Sequence, residues 1–522
     1  MAERNDITSG RRQLPVSRHA ARLWLLGLAL VAGCATRATV APSPLPAAVP
    51  ITVPSTPPVT VPGVPSVQAL VDSVVSLPQF ANMHWGVLIV APDRGDTLAV
   101  VQADRLLMPA SNMKLVTGAV GLAQLGADYR WATTFTRTGP VVDGVLRGDL
   151  VIEGRGDPTV SVAMRGADPL VAFAPLVEAL AAAGVRRVAG GVRASDARAF
   201  PGSPNGFGWD WDDLDAPYGA GVAELLFNEA FTDVRVTGCT RSGRAACVVT
   251  APLRTSPVLY SRVTVRAAGS GAPTIRWWRD SAAIPGITVE GSIAAGDSMT
   301  FTAAHPDDRQ VYVAAVREAL ERSGIRVRGA RLSARGNDTV AVLQSPPLRE
   351  VLPAMQKPSQ NQIAEVIFRT LGFEKTGVGS PDSGRVVVER QLAAWGVRDD
   401  ARVIRDGSGL SRHDYLAPRA IVQILDAMRR APTFTHYLEA LPVAGVDGTL
   451  RNRMKQFADG RVRAKTGTID KARALSGYVT TADGEPLLFS IIANNYTVPT
   501  REVDRVAELI VEQLVTMRRS RP

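Results

Sequence analysis

Lys114 is the one lysine of this chain with a serine at the third position before it, in Met108-Pro109-Ala110-Ser111-Asn112-Met113-Lys114. The chain carries 59 basic side chains, yet only six are lysine: Lys114, Lys357, Lys375, Lys455, Lys465 and Lys471. Arginine keeps its proton in a protein, whereas a buried lysine can lose it and act as a base. On a helix, positions three apart lie on one face, one turn from each other. Ser111 and Lys114 therefore pair a weak nucleophile with a group able to take its proton, the chemistry of an acyl transfer. Pro109 before the predicted helix puts Ser111 in the first turn, where free N–H groups favour developing negative charge. By itself the pattern is weak, since Ser-x-x-Lys recurs by chance roughly once or twice in a chain of this length.

Two further segments carry polar residues suited to the same chemistry. Lys357-Pro358-Ser359-Gln360-Asn361 precedes an apolar-periodic stretch (Ile363, Ala364, Val366, Ile367, Leu371). Taken alone, Ser359 reads as a helix cap. Arg463-Ala464-Lys465-Thr466-Gly467-Thr468 precedes a hairpin. Gly467 leaves room for close approach of a ligand backbone to a strand edge, and Lys465 with the two hydroxyls suits a carboxylate. The competing reading is an exposed edge strand protected by a lysine. Lys375-Thr376-Gly377 repeats three of these letters, but a Gly/Ser/Pro loop follows it instead of a strand.

The elements that would position these groups come from both ends of the chain. Val67 to Leu77 reads as a short helix, and Trp85–Val90 and Thr97–Val101 flank the turn signal Asp93-Arg94-Gly95. Helical recurrence runs from Ser111 to about Gly126. Near the C-terminus, Ala474–Thr480 and Leu487–Asn494 pair across Asp483-Gly484, and an amphipathic helix follows (Val503, Val506, Ala507, Ile510, Val511, Leu514). The expected fold is α/β, with residues 66–126 and 346–522 forming one discontinuous domain. The stretch 127–345, with short β-type runs and few long helical patterns, reads as inserted material forming two small β-rich domains.

Composition bounds the rest. A 46% hydrophobic content over this length supports a large core and more than one domain. Arg4, Arg11, Arg12, Arg18 and Arg22 precede the apolar run Leu23–Val31, and Val31-Ala32-Gly33-Cys34 follows. Residues 1–33 read as a signal peptide with Cys34 as a lipidation site, as in bacterial lipoproteins, against an ordinary signal with a chance cysteine. Residues 34–65, rich in Pro, Ser, Thr and Val, read as an extended tether. Ala35 after the cysteine favours the periplasmic face of an outer membrane, where the cell has one. The net charge of +10 shrinks once the signal is removed, and no dense basic stripe supports nucleic-acid binding. Cys239 and Cys247 suit a local disulfide in an exported protein, with two free thiols as the alternative. Five histidines and no zinc-type spacing give metal catalysis no support, and no cofactor is expected.

In this order, Ser111-x-x-Lys114, Ser359-x-Asn361 and Lys465-Thr466-Gly467 resemble the signature of serine D-alanyl-D-alanine carboxypeptidases of the penicillin-binding-protein group. The resemblance narrows to the low-molecular-mass class C members that combine carboxypeptidase and endopeptidase activity. Gly148–Pro158, Trp209–Asp213, Asp406–Arg412 and Leu441–Leu450 support it, and it runs from about 67 to about 515, through the inserted middle. Gln360 departs from the Asp common at that position. The resemblance implies a penicillin-binding transpeptidase-type domain, peptidoglycan stem peptides as substrate and β-lactams as covalent inhibitors. It implies Ser111 as nucleophile and Lys114 as base. Ser359 and Asn361 would relay a proton to the leaving amine, and Lys465, Thr466 and Thr468 would hold the substrate carboxylate. An oxyanion hole would form from the N–H groups of Ser111 and Thr468. The competing readings are a β-lactamase or esterase of the same fold and a non-catalytic envelope scaffold lipoprotein. The inserted middle favours the peptidase over the first, and the complete set of catalytic side chains over the second.

Overall fold

A computed structural model describes residues 66–280, 285–334 and 338–519. The lipidation site Cys34, the signal and the tether lie outside the described residues.

Five strands build the sheet that carries the site: β1 (His84–Ala91), β2 (Asp96–Val101), β3 (Val462–Ile469), β4 (Ala472–Thr480) and β5 (Pro486–Asn494). Their order is β3-β4-β5-β1-β2, antiparallel throughout, with Val87 opposite Ile491 and Leu475 opposite Ile491 on the other side. The N-terminal hairpin thus pairs with the C-terminal strands. Alternation decides the faces. Leu488 and Ile492 pack with Leu88 and Tyr478 on one face, while Phe489 and Ile491 pack with Val87 and Ile89 on the other. All of β5 beyond Pro486 is buried, as a strand covered on both faces must be.

Among the helices of this part are α1 (Val67–Val75), α2 (Met113–Gln124), α3 (Asn361–Thr376), α4 (Pro418–Arg429) and α5 (Thr500–Thr516). Helices α1 and α5 cover one face of the sheet. Helices α2, α3 and α4 share the core on the other face, where every residue of α2 from Met113 to Leu122 is buried.

Residues 127–345 form a second body of sheets. A seven-stranded sheet includes Ala132–Arg137, Leu150–Glu153, Arg187–Ser195 and Asp338–Gln344. It packs on Ala174–Ala182 and Asp308–Arg322 through Phe135, Ile152, Leu176 and Leu320. Two three-stranded sheets enclose a smaller core of Val234, Val263, Ile287 and Ile293. Cys239 and Cys247 are joined as a disulfide, with Cα atoms 5.8 Å apart. Long helices are few among the described residues of this stretch, and Asp308–Arg322, with 15 residues, is the longest. Its buried face runs through Val311, Ala315, Val316 and Ala319, so small alanines dilute the apolar stripe that sequence reading relies on.

Candidate active site

Ser111 lies in a tight turn, Ala110–Asn112, that leads into α2. The turn is clamped on every side. Ala110 adopts a left-handed backbone (φ 47°). The side-chain amide of Asn494 on β5 donates to the Met108 carbonyl and accepts its N–H at 2.7 Å. Gly467 on β3 faces the same turn, where an added Cβ would sit 2.5 Å from the Pro109 carbonyl oxygen. Gly409, in the left-handed region at φ 79°, abuts it from the other side, with an added Cβ 1.9 Å from the Ala110 oxygen. The sequence reading assigned the space at Gly467 to a ligand; the structure gives it to the backbone that carries Ser111.

Lys114 is fully buried one turn further along. Its Nζ donates to Ser111 Oγ (3.0 Å), Asn361 Oδ1 (2.6 Å) and the Ser408 carbonyl (2.7 Å). These acceptors match the three protons of an ammonium. Burial lowers its pKa from 10.5 to about 7, although the charges of Asp406 and Glu365 act in the opposite direction. When Lys114 is neutral, Asn361 and Ser408 hold its two N–H bonds and leave the lone pair for the hydroxyl of Ser111.

Ser359 does not cap α3. Gln360 takes that position, and its side chain accepts the Gln362 N–H. Ser359 adopts φ 67°, a conformation uncommon for a non-glycine residue and often found at functional sites. Its Oγ accepts from Lys465 Nζ at 2.8 Å. Lys465 is fully buried on β3 and also donates to the Thr466 carbonyl at 2.8 Å. Burial, reinforced by the charge of Lys114, holds its pKa well below the ordinary lysine range. Ser111, Lys114 and Asn361 thus form one hydrogen-bonded set and Ser359 and Lys465 another, and the charge of Lys114 acts on Lys465. The edge-strand reading of Lys465 fails because its side chain is buried.

The rim is shared. Thr466 Oγ1 donates to Thr449 Oγ1 at 2.8 Å, and the Thr449 N–H donates to the Lys357 carbonyl at 3.0 Å. Thr468 is exposed at the cleft edge, and its hydroxyl accepts from Arg473, directly opposite on β4. Arg473 in turn pairs with Asp504 of α5. Sequence reading missed Arg473, although pairing β3 with β4 would have placed it beside Thr468. Lys375-Thr376-Gly377 ends α3, with Gly377 as a left-handed cap, remote from this chemistry.

The inserted body also reaches the site. The Tyr218 carbonyl accepts from Asn361 Nδ2 at 2.8 Å, which fixes the orientation of the amide that faces Lys114. Gln362 Nε2 donates to the Ala220 carbonyl at 2.8 Å, and Gln360 Nε2 donates to Glu229. Trp209 Nε1 donates to Asp406 at 2.8 Å. The resemblance singles out the segments of Trp209 and Asp406, but no sequence signal marks Tyr218, Ala220 or Glu229, because a backbone carbonyl or a buried glutamate has no motif. Among the described residues no cluster of His, Cys, Asp and Glu suits a metal ion.

Residues 67–514 match the family described as the D-Ala-D-Ala carboxypeptidase 3 (S13) family. A D-alanyl-D-alanine carboxypeptidase of Actinomadura sp. (strain R39) is 34% identical over 469 residues, spanning 86% of this chain and 83% of the relative. D-alanyl-D-alanine carboxypeptidase DacB of Haemophilus influenzae is 25% identical over 81% of this chain and 90% of its own length. Among solved structures, penicillin binding protein 4 from Haemophilus influenzae superposes with a TM-score of 0.73 at 24% identity, covering 86% of this chain and 99% of that one. Its complex with a novel β-lactam gives 0.69 at 22% identity.

Proposed function

Given that this chain belongs to the D-Ala-D-Ala carboxypeptidase 3 (S13) family, we propose how its side chains carry out a serine-type D-Ala-D-Ala carboxypeptidase reaction on peptidoglycan stem peptides. The observation that carries the scheme is the contact between Lys114 Nζ and Ser111 Oγ at 3.0 Å, with the other two Lys114 protons held by fixed acceptors.

Ser111 Oγ attacks the carbonyl between two D-alanines as its proton passes to neutral Lys114. The N–H groups of Ser111 and Thr468 receive the oxyanion, a type of contact worth about 2.7–4 kcal/mol per donor. The proton taken by Lys114 then passes by way of the Ser359 hydroxyl to the departing amine, while Lys465 holds the Ser359 oxygen. The C–N bond breaks and an ester forms on Ser111. For release, water attacks the ester and gives its proton to neutral Lys114. Lys114 gives its proton back to Ser111 Oγ and regains its starting state. Thr466, Thr468 and the neighbouring Arg473 provide hydroxyls and a cation for the terminal carboxylate.

β-Lactams present a strained amide to the same serine and form the same ester. The test is labelling with a fluorescent penicillin, alongside D-alanine release from a pentapeptide. Wild type labels covalently and releases D-alanine, whereas Ser111→Ala does neither. Equal labelling of both would overturn the scheme. Digestion of purified muropeptides separates trimming of monomeric pentapeptides from splitting of cross-linked dimers, the second activity proposed for this cleft.

We place the enzyme on the periplasmic face, lipid-anchored through Cys34 after removal of residues 1–33. The support is the basic, apolar and small-residue succession that ends at this cysteine. Incorporation of labelled fatty acid into wild type, and its loss in Cys34→Ser, is the expected result.

A further inference from the structure

The loop Asp406-Gly407-Ser408-Gly409 touches the site through the Ser408 carbonyl, and its carboxylate Asp406 has no step of its own in the reaction. The Ser408 carbonyl accepts from Lys114 Nζ at 2.7 Å. The other end of that same peptide group, the Gly409 N–H, donates to Asp406 Oδ1 at 2.6 Å. A carboxylate on the N–H end of a peptide polarises its carbonyl and makes it a better acceptor. Asp406 also accepts from the N–H groups of Ser408 (3.1 Å) and Ser411 (2.8 Å), and from the indole of Trp209 (2.8 Å). Glu365 of α3 accepts from the N–H groups of Gly407 (3.0 Å) and Ser408 (2.8 Å). Both carboxylates are buried, at 0% and 1% exposure. Holding a loop needs only neutral acceptors, and buried charge is costly unless it is compensated. Two carboxylates under one lysine therefore point to a purpose beyond bracing.

We propose that Glu365 and Asp406 are positioning residues that hold the Ser408 carbonyl on Lys114 and supply the negative field in which Lys114 receives the proton of Ser111. This rests on Lys114 being the base. The charged surroundings are consistent with it. From β3, Lys465 opposes a charge on Lys114. From the loop, Asp414 accepts from the N–H groups of Arg405 (2.6 Å) and Asp406 (3.4 Å), and burial raises its pKa well above its ordinary value. From α3, Arg369 faces Glu365, and Glu224 and Arg198 of the inserted body lie beyond it. Burial lifts Glu365 to about 7, so its charge changes in the same pH range as that of Lys114.

The experiment is the pH profile of kcat/KM for D-alanine release, or of the second-order rate of penicillin acylation, in Glu365→Gln and Glu365→Asp. Gln keeps an oxygen for the loop N–H groups and removes the charge, which makes protonated Lys114 less favourable. The acid limb should move down by about one pH unit, and Asp should bring it back toward wild type. Folding is checked by a cooperative thermal transition and full Ser111 labelling at long times. A uniform loss of rate at every pH, with the limb unmoved in Glu365→Gln, would overturn the proposal and reduce Glu365 to a brace. A wild type with no acid limb at all, or with Ser111→Ala still labelled, would instead overturn the catalytic scheme itself.

Discussion

The two lysines of the site are equally buried and stand in opposite surroundings. Lys114 sits over Asp406 and Glu365, bonded to a side-chain amide and a carbonyl that are themselves held in place. Among the described residues, Lys465 has neutral acceptors, Ser359 and the Thr466 carbonyl, and Lys114 as its influential charged neighbour. Burial alone would make both of them poor cations. The counter-charges separate them: Lys114, over two carboxylates, is poised to exchange a proton at neutral pH, and Lys465, with none, is the poorer cation. One side chain type thus performs two tasks because of what lies beneath it.

Lys114→Ala removes the base, and the rate of penicillin acylation should fall by about 10²–10⁴. Stopped-flow labelling checks this, and a loss under threefold would erase the distinction between the lysines. Lys465→Ala should cost less in β-lactam acylation, about 10², because the Ser359 oxygen loses its donor. A larger acylation defect than in Lys114→Ala would invert the roles.

The pH dependence follows from the lowered pKa of Lys114. Below about 7 the amine is protonated and cannot take the Ser111 proton, so kcat/KM should fall about tenfold per pH unit on the acid side. The same shift has a stability counterpart. A lysine whose folded pKa lies below its unfolded value of 10.5 is a cost to the fold, largest below about pH 7 and lifted as pH rises toward 10.5. Denaturant unfolding across this range should show a positive slope of stability with pH that is shallower in Lys114→Met, where only Lys465 of the pair contributes; equal slopes would contradict the shift.

The smallest expected effect is structural. Gly467→Ala places a methyl 2.5 Å from the Pro109 oxygen and 2.9 Å from Ala474 Cβ. Overpacking of this kind costs about 1–3 kcal/mol, and the Ser111 turn should shift with it. Unchanged stability together with unchanged acylation would show that the turn is not clamped there.

Some of this was legible in the primary structure because it depends on local geometry. Helix periodicity puts Ser111 and Lys114 on one face, and the observed α2 ends at Gln124, close to the predicted Gly126. The C-terminal hairpin pairs Ala474 with Ile492 and Leu475 with Ile491 around the predicted turn. Ser359 was ambiguous, since a serine after proline before a helix looks the same whether it caps or catalyses. Only its bond to Lys465, 106 positions away, separates the two readings.

The linear chain determined which groups were available: a serine one turn from a lysine, a second hydroxyl, a second lysine on a strand. Their proton affinities were decided only by the tertiary structure. Asn361 meets Lys114 across 247 positions, and the Tyr218 carbonyl from the inserted body fixes that amide across another 143. The reason is physical. Reach along a helix is set by local bond geometry, whereas desolvation and the field of a buried charge depend on everything that folds around the group.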